Sequence, residues 1–267
     1  VKPTTLAIHG AAGRMGQRLV ALGHADPAVE LVAAIESASS PNLGRDAGVL
    51  AGVGEIGVPL SADWPQSVGA VIDFSVPEAV DGVVARCLEH KFPLVIATTG
   101  FGETTRNAIE EAAGVIPVCW APSMSLTVNI AMKLAEVAGR ALADHPTGAD
   151  VEIIERHHRF KEDSPSGTAL GFGRVISDAM GQHQHTHGRH GRPGVRPHDE
   201  IGYHAVRTGD NPGEHTIVFG LLGETLELRV AATNRDCYAS GALVAARWLQ
   251  DKPAGLYDMQ DVLGLRP

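Results

Sequence analysis

Ile8-His9-Gly10-Ala11-Ala12-Gly13-Arg14-Met15-Gly16 joins two segments of different hydrophobic period. Residues 5–9 read as a strand, and residues 15–23 as a helix with one apolar face. Three glycines at such a junction, spaced Gly-x-x-Gly-x-x-Gly, are a variant of the dinucleotide-binding turn. Gly10 permits the tight reversal, Gly13 lets backbone approach a pyrophosphate, and Gly16 lets the helix pack closely on the strand. Arg14 and Met15 open the helix, whose free N–H groups and positive dipole end suit phosphate. Glu36 ends a second strand at residues 31–35, where a carboxylate can accept from both ribose hydroxyls. Taken singly, the glycines could form a turn without a ligand and Glu36 could be a solvated strand end; together they point to a dinucleotide.

The residue types around Glu36 bear on which dinucleotide. Its charge repels a 2'-phosphate, and Ser37, Ala38 and Ser39 bring no compensating base. NADH is therefore expected to serve at least as well as NADPH, with Arg14 softening the preference.

The rest of the first half continues the alternation. Strand-like runs at residues 70–74, 94–97 and 116–120 are separated by helix-like segments at 77–90 and 103–113. This order predicts an α/β, Rossmann-like, doubly wound parallel sheet. Residues 37–60, rich in Gly, Ser and Pro, read as a long loop with one helical turn. The second half differs. A helix at 126–142, a strand at 149–155 and a helix at 168–180 precede strand-like runs at 201–207, 215–219 and 225–231. That succession predicts a second α+β domain with a mixed or antiparallel sheet. Residues 241–250 form a last helix.

A cationic segment lies in this second half. His157, His158, Arg159 and Lys161 follow the strand end, and Ser164-Pro165-Ser166-Gly167-Thr168 leads into a helix. The backbone N–H groups of Ser166, Gly167 and Thr168 would form an anion nest, with the Thr168 hydroxyl as a further donor. One carboxylate could sit there and a second near Lys161 and the histidines, which suits a dicarboxylate. His157 could deliver a proton near neutral pH. A solvated charged loop and a metal site are the competing readings, but ligand spacing for a metal is lacking in this segment. His183, His185 and His187 do have an alternating spacing; the glycines and proline that follow favour a mobile surface loop there. No metal is expected.

Composition limits the classes of function. Acidic residues outnumber basic ones, 31 to 22, so general nucleic-acid binding is not expected. No apolar run reaches membrane-spanning length. Cys87, Cys119 and Cys237 are scattered, as in thiols of a reducing compartment. A cytoplasmic enzyme is the simplest expectation.

The two chemistry-bearing segments together resemble one family, the 4-hydroxy-tetrahydrodipicolinate reductases, also called dihydrodipicolinate reductases. The resemblance lies in Gly10 to Gly16, Ile72-Asp73-Phe74-Ser75, Ala97-Thr98-Thr99-Gly100, Glu152 to Lys161, Asp163 to Ala169, Gly213-Glu214-His215-Thr216 and Leu256-Tyr257-Asp258-Met259. It implies a discontinuous dinucleotide-binding domain, residues 1–127 and 236–267, around a substrate-binding and oligomerisation domain, residues 128–235. It implies that His157 is the proton donor and Lys161 its partner. His158, Ser166, Gly167 and Thr168 would hold substrate carboxylates, with Thr99 contributing from the other domain. Gly10, Gly13, Arg14, Met15, Gly16, Glu36, Phe74, Ser75, Ala97, Thr99, Gly100, Ala121 and Met124 would line the cofactor site. A homotetramer built through the second domain's sheet is also implied. Two departures stand out: Ser123-Met124 where the family often has Asn-Phe, and Ser37 where a member has Arg. From the residues alone, a non-catalytic redox sensor or another small-acid dehydrogenase are the rivals; the sensor has no need of a proton donor.

Overall fold

A computed structural model describes residues 2–266. The chain divides into two compact units, residues 1–126 with 235–267, and residues 127–234.

In the first unit the strands are β1 (Thr4–His9), β2 (Val29–Ile35), β3 (Leu60–Ser61), β4 (Ala70–Asp73), β5 (Leu94–Ile96), β6 (Pro117–Trp120) and β12 (Gly255–Tyr257). They form one parallel sheet in the order β12-β6-β5-β4-β1-β2-β3. The chain runs outward from β1 in one direction and from β4 in the other. The order therefore reverses between β1 and β4, and ligands of such sheets bind beyond the strand ends at that point.

Helices cover both faces because alternate strand residues are apolar on both sides. Leu6 and Ile8 of β1 pack with Leu19 of α1 (Arg14–Ala25) and Ala242 of α7 (Asp236–Leu249). Ala7, between them, packs with Val83 of α3 (Val80–His90) and Ile109 of α4 (Glu103–Ala113) on the opposite face. Gly16, Leu19, Val20 and Gly23 form the buried stripe of α1 at helical spacing.

Residues 37–60 are more ordered than the sequence predicts. Asp46 caps the short helix α2 (Ala47–Ala51), and its carboxylate also accepts from the Ile56 and Gly57 amides. One side chain thus closes the loop on itself, which period-based reading does not detect. The strand β12 is likewise absent from the sequence-based reading, being too short to show a period.

The second unit contains α5 (Leu126–Leu142), β7 (Asp150–His157), α6 (Gly167–Met180), β8 (Gln184–His187), β9 (Glu200–Arg207), β10 (Glu214–Leu221) and β11 (Glu224–Ala231). Its mixed sheet has the order β11-β10-β7-β9-β8, parallel on the β9 side of β7 and antiparallel on the β10 side. Val151, Ile153, Ile217, Phe219 and Tyr203 face a core shared with Phe172 and Ile176 of α6. The expected histidine-rich loop is the edge strand β8. Its His185 and His187 stack on Tyr203, and His185 Nδ1 lies 2.8 Å from the Tyr203 hydroxyl. Among the described residues, no group of His, Cys, Asp and Glu is placed to hold a metal, and no helix is long and apolar enough to cross a membrane.

Gly241 on α7 is a close-packing position. A Cβ there would lie 1.7 Å from the carbonyl oxygen of Met124, which is backbone and cannot swing away. Gly241→Ala should destabilise the first unit by about 1–3 kcal/mol, read as a lower urea midpoint with an unchanged slope.

Candidate active site

The glycine turn sits at the β1 end of the reversal point. Gly10 has φ +78°, and a Cβ on it would meet the Phe74 carbonyl oxygen at 2.7 Å. A Cβ on Gly16 would lie 2.1 Å from the Gly10 carbonyl oxygen. Both positions exclude side chains, as the sequence reading requires. Gly13 is the N-cap of α1 and supplies no capping oxygen, so the first-turn amides of Arg14 and Met15 are not met by a side chain. Glu36 Oε1 accepts from the Ala12 amide at 2.7 Å, and Oε2 from the Ser37 amide at 3.2 Å. The carboxylate is thereby held against the glycine turn with acceptor capacity to spare. An exposed helix start without a side-chain cap, beside an anchored carboxylate, fits a dinucleotide.

The strand ends next to this turn are tied by Asp73, which is fully buried. Its Oδ1 meets His9 Nδ1 at 2.7 Å and the Ser75 hydroxyl at 2.6 Å; its Oδ2 accepts from the Thr98 hydroxyl at 2.6 Å. Thr98 Oγ1 in turn accepts from the Ser75 amide at 2.9 Å. This network sets the half-buried Phe74-Ser75 edge and the start of the exposed Thr99-Gly100 loop. Ala97, Ala121 and Met124 are 8%, 2% and 1% exposed and belong to the core. Their side chains pack inward, because apolar side chains at a strand end turn under the connecting loops, so only their backbone is open to a ligand-binding role.

The second cluster is in the other unit. Glu155 is 1% exposed at the end of β7. Its Oε2 lies 2.6 Å from His157 Nδ1 and accepts from Arg207 Nη1 at 2.8 Å. Its Oε1 accepts from Arg207 Nη2 at 2.8 Å and from the Ser166 amide at 3.1 Å. Burial pushes this carboxyl up, but the Arg207 and His157 hydrogen bonds outweigh it and hold Glu155 below the usual carboxylate range. Arg207 also donates to the Asp163 carbonyl at 2.7 Å, fixing the loop that leads to α6.

Ser166 differs from its expected role. Its amide is engaged by Glu155, and its hydroxyl accepts from the Ala169 amide at 3.1 Å as the N-cap of α6. The same hydroxyl lies 2.9 Å from His215 Nε2. At 2% exposure it braces the helix start from inside. Among the described residues the Gly167 and Thr168 amides have no acceptor, so the nest consists of these two. Lys161 Nζ is paired with Asp163 at 2.7 and 2.9 Å, but the Asp163 side chain is 61% exposed. Such a pair is weak in water and easily exchanged for another carboxylate. His158 is half-buried, with Nδ1 buried and unpaired.

Burial pushes His157 below the ordinary histidine range, opposed by Glu155 and assisted by Lys161 and Arg207. The Glu155, Arg207 and His215 roles escaped sequence reading. One signal was available: Glu155 shares the inward parity of Val151 and Ile153 on β7, where a carboxylate needs a partner.

Residues 4–124 match the family model described as dihydrodipicolinate reductase, N-terminus, and residues 127–263 match that described as dihydrodipicolinate reductase, C-terminus. The chain belongs to the dihydrodipicolinate reductase family. The 4-hydroxy-tetrahydrodipicolinate reductase of Rhodopirellula baltica is 58% identical, over 98% of this chain and 97% of its own. The protein of that name from Alkalilimnicola ehrlichii is 47% identical, over 98% of this chain and 99% of its own. Among solved structures, the dipicolinate-bound dihydrodipicolinate reductase of Paenisporosarcina sp. TG-14 matches with a TM-score of 0.77 at 25% identity, over 97% of this chain and 98% of its own. An amine dehydrogenase of Mycobacterium smegmatis, 14% identical over 95% of this chain and 94% of its own, shares the fold with a TM-score of 0.60.

His215 gives this family member a pH signature. Burial, then the neighbouring His157, push it down to about 4 from 6.5. Between those values the unfolded chain binds a proton that the folded chain does not, so stability falls as pH falls through that window. His215→Gln should flatten this slope, as read by urea unfolding of both proteins at about pH 7 and about pH 5.

Proposed function

We propose that this chain reduces 4-hydroxy-tetrahydrodipicolinate to tetrahydrodipicolinate in the diaminopimelate route of lysine biosynthesis, using NADH or NADPH. The single observation that carries the reading is the grouping of His157, Lys161 and the free Gly167 and Thr168 amides beyond β7, in a member of this reductase family.

The substrate carries two carboxylates. The amides of Gly167 and Thr168, with the positive end of α6 behind them, bind one. Lys161, released from the exposed Asp163, and His158 bind the other. Loss of water from the bound substrate leaves a conjugated cyclic imine. The nicotinamide, held by the first unit, would supply the hydride for ring C4. His157 delivers the proton to C3, and Lys161 stabilises negative charge as it develops. The glycine turn, Arg14 and Met15 hold the pyrophosphate, and Glu36 the adenosine ribose. Phe74, Ser75, Thr99 and Gly100 border the cofactor, and Thr99 also serves the substrate. That solved relative's bound dipicolinate, a dicarboxylate, supports the substrate class.

Because Glu36 carries its charge where a 2'-phosphate would lie, NADH is used at least as well as NADPH. A cytoplasmic location goes with a biosynthetic reductase of this kind. The resemblance also implies a homotetramer through the second unit's sheet. Ile154 and Val206 support this, being 41% and 42% exposed on the face turned away from α5 and α6.

With substrate generated in place from pyruvate and aspartate semialdehyde, wild type should consume NADH rapidly. His157→Gln and Lys161→Ala should each lower kcat by about 100-fold or more, with NADH binding retained. Binding of NADH without turnover in wild type would instead favour the sensor or another substrate. Glu36→Gln should shift the NADPH to NADH ratio of kcat/KM by about tenfold, equal to roughly 1.4 kcal/mol, toward NADPH.

A further inference from the structure

His157 has two ring nitrogens, and only one can face the reacting carbon. Its Nδ1 faces Glu155, and among the described residues Nε2 has no hydrogen-bond partner. The other contacts on Glu155 come from donors: both Arg207 Nη groups and the Ser166 amide. A carboxyl group so surrounded is ionised and can only accept, so the nitrogen facing it must carry hydrogen.

We propose that Glu155 is a positioning residue for the reaction, holding His157 with Nδ1 protonated and Nε2 as the proton-exchanging atom while fixing the start of α6 through Ser166. The inference rests on the reductase reading above. On proton transfer the Nε2–H bond breaks and a C3–H bond forms with the enamine electron pair. The imidazolium returns to its neutral Nδ1–H form, and solvent restores the proton to Nε2. Glu155 stabilises the imidazolium before transfer and the correct tautomer after it.

The charged neighbours of His157 come from every element around it. Glu155 shares its strand, Arg207 lies on β9, His215 on β10, and Lys161 on the following loop. Arg207 and Lys161 disfavour the imidazolium, and His215 is buried and neutral; Glu155 supplies the opposing charge. Arg207 also prevents Glu155 from taking the proton itself, since its guanidinium meets both carboxylate oxygens.

The test uses the full chain labelled with ¹⁵N-histidine, His157 being assigned by its loss in His157→Gln. Wild type should show the Nδ1–H tautomer. In Glu155→Gln, Arg207 draws the amide oxygen and leaves the NH2 group facing Nδ1, so the tautomer should move toward Nε2–H. Its kcat should fall by about 100-fold, with the KM for NADH within about twofold of wild type. Part of the loss should return as pH is lowered, because protonation restores the acid form. In a His157→Gln background Glu155→Gln should lower kcat little further. An Nε2–H tautomer in wild type, an unchanged kcat in Glu155→Gln, or an equal loss in the His157→Gln background would overturn the proposal. The wild-type tautomer needs no Glu155 variant, so a poorly folding variant does not decide the matter. Absence of wild-type turnover would overturn the reductase reading, and the tautomer in the same sample would report on Glu155 separately.

Discussion

A carboxylate withdrawn from water must be met by fixed donors, because an unpaired buried charge costs several kcal/mol or neutralises itself. That constraint organises both units of this chain. Glu155 is met by Arg207 from β9, by the ring of His157 and by the amide that starts α6. Each donor comes from a different piece of chain, so satisfying the charge fixes where those pieces lie. Asp73 does the same in the first unit, collecting His9, Ser75 and Thr98 from three neighbouring strand ends. In both cases the buried carboxyl group bonds residues next to groups proposed to meet ligands.

The two units use contrasting means to reach a similar end. The first excludes side chains: Gly10 and Gly16 let backbone come close, and the uncapped start of α1 presents its amides. The second supplies side chains but restrains them. His157 is held by a carboxylate, Ser166 braces the helix start, and Lys161 is held only by an exposed partner. His157 and Ser166 are buried and each is held by at least one hydrogen bond from within the unit. The Lys161 ammonium is itself mostly sheltered, but its partner Asp163 is left in water, where an ion pair is weak.

Much of this was legible along the chain. The alternation of apolar runs and helical segments specified the parallel sheet, and the succession of strands specified the mixed one. The Gly10–Gly16 spacing marked the close-packed turn between β1 and α1, and His157 to Thr168 marked the cationic segment between β7 and α6. What escaped was of two kinds. Short elements such as β3 and β12 carry too few residues to show a period. Side chains such as Arg207 and His215 take their role from partners about 50 positions away along the chain. The histidines of β8 show the reverse error: the glycines and proline that follow them suggested a loop, whereas His185 and His187 stack on Tyr203 at a sheet edge.

By itself the sequence determined the fold class, the position of the glycine turn after β1 and the location of the cationic segment. These rest on local spacing, and spacing along the chain is what secondary structure reads. Only the tertiary structure decided which of those groups are available to a ligand. It turned the Ser166 amide inward, left those of Gly167 and Thr168 free, and buried Met124. The reason is that hydrogen-bond capacity is finite: whether a donor serves the protein or a ligand depends on which acceptors folding brings within reach.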